Sequence, residues 1–249
     1  MTINYDAIAH HYYDDDGDYT SVTSLVGRFF TTFDSLKVSA QYALTHGQTA
    51  EYWREHWAEI SKASQEYGKK IHADLCEDVM CGLFLCETYF NDFTPAGCGF
   101  RKSMYDKFGK NFDAISFKNE EIVFSKEHRV AGTYDLLLNF VINGELKNVL
   151  VDFKTGKNID LFGYDNEIAS PPFFFVPASK YGKSAMQMGF YSDLLAGEGT
   201  NVDICLIAHV TDKEDAEGMT EVNLIDVTEM AKVCKISEAK KYAVKRNNK

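Results

Sequence analysis

Residues 130–155 read VAGTYDLLLNFVINGELKNVLVDFKT, and this stretch decides the fold. Two β-branched and apolar runs of strand length, VAGTYDLLLNFVI and LKNVLVDFK, flank Asn143-Gly144, the strongest short-range hairpin signal. With Asn143 and Gly144 as the two loop residues, cross-strand partners have numbers summing to 287, so Asp135 falls opposite Asp152. Directly opposed side chains stand roughly 4.5–5.5 Å apart at Cβ, and like charges there repel. A cation between them turns that repulsion into a binding site, and carboxylate oxygens suit hard ions such as Mg²⁺. Lys154 shares the strand face of Asp152, behind Leu146 and Leu150. A lysine beside two carboxylates can orient an attacking water or stabilise charge developing on phosphate. The alternative reading is a surface cluster of weak ion pairs. Against it, both Asp sit inside apolar runs, where strands rarely carry them.

Around the hairpin the periodicity changes twice. Upstream, Thr20–Phe33 (TSVTSLVGRFFTTF) opens with Ser/Thr capping residues and has apolar residues at helical spacing. From about Phe33 to Leu85 the chain reads as helices. The clearest covers Ile60–Leu83, where Tyr67, Ile71, Leu75, Val79 and Leu83 recur at helical intervals. Gly97–Phe112 reads as loop or short helix, and EEIVFS (120–125) as a strand. Downstream, Gly156–Lys180 holds three of the four prolines and reads as a loop. A helix over about Lys183–Ala196, strands at Val202–Val210 and Glu221–Ile225, and a helix from about Val227 complete the chain. Helices, three antiparallel strands, a helix and a further strand make an α/β (α+β layered) domain with a central mixed sheet. Residues 1–60 are expected as an N-terminal helical elaboration on a core of residues 61–249, the two forming one continuous unit.

Composition narrows the function. No apolar run approaches the roughly 18 residues of a membrane span, and the acidic start lacks the basic-then-apolar order of a signal peptide. A soluble cytoplasmic protein is expected, in a bacterial or phage-infected cell. The cysteines (Cys76, Cys81, Cys86, Cys98, Cys205, Cys234) form no C-x-x-C pair. They read as small buried hydrophobes in a reducing compartment, without an iron–sulfur or zinc arrangement. The net charge of −11 argues against a broad surface coated in nucleic acid. It leaves room for a narrow basic groove. The first twenty residues hold five Asp and no base, while Ala231–Lys249 holds seven Lys/Arg against Glu238 alone. These segments read as a solvated acidic arm and a frayed basic tail.

Five pieces in order, YGKKIHADL (67–75), NEEIVFS (119–125), VAGTYDLL (130–137), LVDFKTGK (150–157) and MQMGFY (186–191), resemble the PD-(D/E)XK nuclease superfamily. The pattern is most similar to the RecB-like branch and the mitochondrial genome maintenance exonucleases with their phage-encoded relatives. It spans His72 to Tyr191, about half the chain. The resemblance implies a restriction-endonuclease-like core and hydrolysis of DNA phosphodiesters with Mg²⁺, for which Mn²⁺ can substitute. It places G-x-x-x-H on Gly68 and His72, G-x-x-D on Gly132 and Asp135, and D-x-K on Asp152 and Lys154. The implied metal set is His72, Asp135, Asp152 and Phe153, and the implied catalytic set is Asp135, Asp152, Lys154 and Glu120. Glu121 rivals Glu120, because strand alternation turns only one of them inward. Gln187, Tyr191 and Thr155 are implied substrate contacts. Each has a plainer reading: a polar helix face with a core tyrosine, and a loop cap. His72 taken alone reads as a satisfied core histidine. YTSVTSL (19–25) also resembles a segment near the start of the family, with a role in guiding single-stranded DNA.

The expected activity is a DNA exonuclease working from ends with a single-strand preference, in replication, recombination or repair. A structure-specific endonuclease of the same superfamily is the alternative within the class. A nuclease-fold DNA-binding or assembly protein that no longer cleaves is the alternative outside it. A phosphodiesterase for small molecules would want more histidine near the hairpin than His128.

Overall fold

The hairpin forms as the turn chemistry requires. In a computed structural model of the chain, which describes residues 3–6, 9–84, 93–109 and 113–247, Asn143 and Gly144 have φ of 51° and 80°. A two-residue type I′ turn demands positive φ at both positions. The pairs that follow, from Ile142↔Glu145 to Leu136↔Val151, all sum to 287.

The chain begins with β1 (Asn4–Asp6), β2 (His11–Asp14) and β3 (Gly17–Ser21). Then come α1 (Val22–Gly27), α2 (Ser35–His46), α3 (Ala50–Met80) and α4 (Pro95–Phe108). The hairpin region supplies β4 (Asp113–Ser125), β5 (Val130–Ile142) and β6 (Glu145–Thr155). The chain continues through α5 (Lys180–Gly197), β7 (Ile204–Glu214), β8 (Thr220–Asp226), α6 (Thr228–Val233) and α7 (Ile236–Asn247). One mixed sheet runs β1-β2-β3-β5-β6-β7-β8, with β4 pairing β5. Helices cover both faces, as expected of the α/β class. On one face α1, α5, α6 and α7 enclose Leu25, Leu150, Phe190, Ile207 and Ile236. On the other, α3 and α4 enclose Leu75, Phe100, Leu138, Phe153 and Leu206. The crossover from β6 through α5 to β7 makes those two strands parallel. Among the described residues no helix is long and apolar enough to cross a membrane.

Three expectations are corrected. The acidic start is not a solvated arm, and residues 1–60 are not all helical. The first strands join the sheet because their polar groups find partners. Asp14 accepts from the Tyr19 hydroxyl at 2.7 Å and from Arg129 at 2.9 Å, and the Arg129 guanidinium lies 3.9 Å from the centre of the Tyr19 ring. The helix α3 runs continuously from Ala50 to Met80. Of Gly97–Phe112, expected as loop or short helix, residues 97–108 belong to the 14-residue helix α4 and 110–112 lie outside the described residues: Thr94 caps α4 by accepting Gly97 N–H at 3.1 Å, and Pro95 opens its first turn. Its glycines lower helix propensity for a packing reason, since a Cβ on Gly99 would stand 1.9 Å from the Thr220 carbonyl oxygen.

Described cysteines are free, with Cys98, Cys205 and Cys234 buried, Cys76 half-buried and Cys81 exposed. Cys86 lies outside the described residues. So do Lys249 and the side chains of Lys245 and Arg246 in the basic tail.

The regular alternation expected along β5 fails at one place. Leu136, Leu138 and Phe140 face the α3–α4 core, whereas Val130 and Tyr134, also even-numbered, face the α1–α5 core. The strand turns over at Asp135. On β4 the same reversal separates Phe117 from Val123. Its hinge is Glu120, whose φ of 52° lies in the left-handed region.

Candidate active site

The site occupies a gap in the sheet. A strand has two edges, and β4 pairs β5 on one of them from Val130 to Val141. On the other edge, β6 pairs Leu136–Ile142 and β3 pairs only Val130 and Ala131. Among the described residues, Gly132–Asp135, the G-x-x-D segment, therefore has no strand beside it on that edge. A cleft of about 830 Å³ opens there, walled by Ser21 and Thr23, by Gly68 and His72 of α3, and by Lys154 and Thr155.

The two registers align three carboxylates across three strands. β4–β5 pairs from Ser116↔Asn139 to Ser125↔Val130 sum to 255, which sets Glu120 opposite Asp135. The β5–β6 sum of 287 sets Asp135 opposite Asp152, although the ladder stops one pair short, at Leu136↔Val151. The strands part because Asp135 accepts the Phe153 backbone N–H at 2.7 Å with its own carboxylate. Its side chain reaches toward the backbone of β6 instead of simply facing Asp152.

Glu120, Asp135 and His72 offer ligand atoms that lie within 4.8 Å of one another. His72 donates from Nε2 to the Phe153 carbonyl at 3.0 Å, a bond that leaves the Nδ1 lone pair 3.7 Å from Asp135 Oδ2. The Phe153 ring is buried in the α3–α4 core, so it is the backbone of Phe153, its N–H and its carbonyl oxygen, that reaches the site. Glu121 does not: it accepts from Tyr134 OH at 3.2 Å and pairs with Lys118 at 3.4 Å. The left-handed turn at Glu120 separates these two neighbours. Cys76, one helical turn after His72, donates its thiol to Asn119 Oδ1 at 3.2 Å, and burial pushes that thiol up to about 11.

Asp152 and Lys154 form the deeper layer. Asp152 is buried, with Oδ1 accepting from Lys154 Nζ at 2.7 Å and Oδ2 lacking any hydrogen-bond partner. Burial pushes the Asp135 carboxyl up to about 6, and the charge of Asp152 adds to it. Burial acts to lower the Lys154 ammonium, but Asp152 and Asp135 outweigh it and hold the group above its ordinary value. Leu146, expected with them on a buried face, is 59% exposed near the turn, whereas Leu150 is buried.

Thr155 Oγ1 would stand 3.2 Å from a Cβ on Gly68, so the glycine lets α3 approach the end of β6. Gly132 plays the same part toward Tyr191, whose ring carbon Cε1 would be 2.6 Å from an added Cβ. Tyr191 is itself buried and accepts from Gln187 Nε2 at 3.3 Å. Gln187 and Tyr191 both border the cleft. Sequence reasoning missed Lys180. It borders the cleft from an exposed position and donates to the Thr155 carbonyl. Burial lowers its ammonium, and Lys154 lowers it further. Its signal was weak, a lone lysine at the end of a long loop.

No protein-family model matches the chain, and no curated protein matches it. Among solved structures the chain is similar to a protein from Eubacterium rectale provisionally named an exonuclease. The two are 12% identical, over 87% of this chain and 75% of that one, with a TM-score of 0.31.

Proposed function

We propose that this chain is a metal-dependent deoxyribonuclease, an exonuclease that removes nucleotides from DNA ends with a preference for single strands. The observation that carries the reading is the juxtaposition of His72, Glu120, Asp135 and Lys154 in one cleft, with Asp152 buried behind them and bonded to the half-buried Lys154 at 2.7 Å. Its expected setting is DNA replication, recombination or repair.

The residues suit a hard divalent cation. Asp152 Oδ2 is buried without a hydrogen bond, and burial beside a second acid raises Asp135. Neither is a resting state that protein groups alone favour. His72, Glu120, Asp135, Asp152 and the Phe153 carbonyl would hold Mg²⁺, or Mn²⁺ in its place. When bound, such an ion neutralises charge on a phosphate and acidifies water.

The chain's own groups do the rest. Asp152 fixes the Lys154 ammonium at 2.7 Å, leaving its remaining N–H groups to orient an attacking water or meet a phosphate oxygen. The Phe153 carbonyl holds the His72 ring in one tautomer. Lys180 adds a cation to the same cleft, and Gln187 supplies a polar wall.

The test uses single- and double-stranded DNA labelled at one end, incubated with Mg²⁺, with Mn²⁺ and with chelator, beside Asp152→Ala. Metal-dependent shortening from an end, absent in the variant, is the expected result. Internal cuts at defined structures would favour the endonuclease. DNA binding without cleavage under either metal would overturn the enzyme and leave a binding or assembly protein.

A further inference from the structure

The cleft continues beyond the catalytic residues. Thr23 and Gln187 line it and also line a second pocket of about 380 Å³ beside Phe30. Thr31, Thr32 and Phe33 belong to that pocket and to a third cavity of about 920 Å³, lined by α2, α3 and the turn at Tyr164. Shared residues set the three cavities side by side, in a line leading away from the site.

The middle of the groove has a chemical bias. Among the described residues lining it none is acidic, although the chain carries a net charge of −11. Its polar wall consists of Thr23, Thr31, Thr32, Gln187 and Lys183, and the Lys183 ammonium stands 5.2 Å from the centre of the Phe30 ring. Hydroxyl, amide and ammonium donors are what phosphodiester oxygens accept from.

The far cavity has a different bias. Phe33, Tyr42, Trp57 and Tyr164 border it. Phe33 meets Trp57 edge-on at 6.1 Å, and Tyr42 meets Trp57 likewise at 5.6 Å. Tyr42 has one face stacked on His46 at 3.6 Å, which leaves Phe33 and Tyr164 as the more open rings of the cavity. Phe33 is 64% exposed and Tyr164 88% exposed, so burial in a core does not account for them. Asp34 and Glu167 also border this cavity. With Lys37 on the same wall the three charges leave the cavity with a net negative balance, which favours phosphate less than the middle of the groove does.

We propose that the groove is a path for single-stranded DNA, with backbone phosphates along Thr23, Thr31, Thr32 and Lys183 and nucleobases stacked in the Phe33–Trp57–Tyr164 cavity. A duplex keeps its base faces stacked on each other, so only an unpaired strand can use aromatic platforms. The assignment rests on the DNA reading of the cleft and adds a binding site remote from the reaction. It makes affinity depend on how much strand extends past the catalytic residues.

The test is binding in chelator, where no cleavage occurs, of labelled oligothymidylates about 4 and about 12 nucleotides long, lengths that bracket single-strand sites on other folds. The longer strand should bind more tightly and quench tryptophan fluorescence. In Tyr164→Ala and Phe33→Ala the ratio of long- to short-strand affinity should fall by roughly fivefold or more, as expected for one lost stacking contact. Tyr164→Phe should restore it. Tyr164 is almost fully exposed, so folding is not at stake, and a melting curve checks this. Equal affinity for both lengths, or equal losses at both lengths in the variants, would overturn the proposal, and a protein occupant would then be sought. The two readings fail separately. Length dependence without Mg²⁺-dependent cleavage would sink the nuclease and keep the groove. Cleavage without length dependence would do the reverse.

Discussion

Asp135 accepts the Phe153 backbone N–H at 2.7 Å, one step beyond the last main-chain pair between β5 and β6. A side chain thus supplies the rung that the backbone leaves out. The anion is held by the strand that carries Asp152 and Lys154, so the acids of the site are set in position by the sheet before anything binds. Preorganisation of this kind is what an electrostatic site needs.

The acid carries a stability consequence with a definite sign. In the folded protein the Asp135 carboxyl is pushed up to about 6 from an ordinary 3.8, so the native state holds this proton more tightly than the unfolded chain. Its contribution is fully present below the ordinary value and is lost as pH rises through about 6. In chelator, wild-type stability should therefore fall by on the order of 1–3 kcal/mol over that window from this group. Asp135→Asn should flatten the slope and melt higher than wild type near neutral pH. Added Mn²⁺ should raise the wild-type melting temperature and leave the variant unmoved. Denaturant melts at several pH values check this, and a steeper slope in the variant would count against the assignment.

Lys154 and Asp152 are coupled through a bond of 2.7 Å. Removing the lysine leaves Asp152 buried with neither oxygen satisfied by it, because Oδ2 already lacks a partner. Lys154→Met should lower metal-free stability by about 3 kcal/mol and cleavage by at least about 100-fold. The double variant Asp152→Asn with Lys154→Met should be more stable than Lys154→Met alone. Additive losses in melting experiments would show that the pair does not interact as described.

The two motif glycines should behave differently. A Cβ on Gly132 would lie 2.6 Å from Tyr191 and 3.1 Å from Val22, both in the core, so Gly132→Ala should cost about 1–3 kcal/mol. On Gly68 the one close atom among the described residues is Thr155 Oγ1 at 3.2 Å, and alanine favours helix by about 1 kcal/mol. Gly68→Ala should keep or raise the melting temperature while reducing cleavage, because it moves Thr155 beside Lys154. A large loss of stability in Gly68→Ala would mean that α3 packs more tightly on β6 than the geometry indicates.

Short-range chemistry made the hairpin readable. Asn143-Gly144 specifies the turn, the turn specifies the register, and the register brings Asp135 to the level of Asp152. The order of helices and strands followed from periodicity for the same reason. What escaped depends on contacts distant in sequence. β1–β3 form because Asp14 meets Arg129, 115 residues away. α4 carries glycines because Asp78 and Thr220 crowd it. The distinction between Glu120 and Glu121 turns on one left-handed residue that no alternation rule anticipates. The groove past Phe33 draws on α1, α2, α3 and α5 together, so no single stretch announces it.

Among the described residues the N-terminal leaf pairs with the rest of the sheet along its backbone at two positions, Thr20↔Val130 and Ser21↔Ala131, its other ties being side-chain contacts such as Asp14–Arg129. Beyond them the chain enters α1, whose Val22 and Leu25 are anchored in the main core. With so short a backbone ladder, β1–β3 would be expected to open before the remainder of the sheet. Amide protons of that leaf should then exchange with solvent well before those of β6 and β7. Ser21 and Thr23 border the cleft, so the mouth of the candidate site is bounded by the least protected part of the sheet. Breathing of this leaf, more than any motion of the catalytic strands, would set how wide an entrance an incoming strand meets.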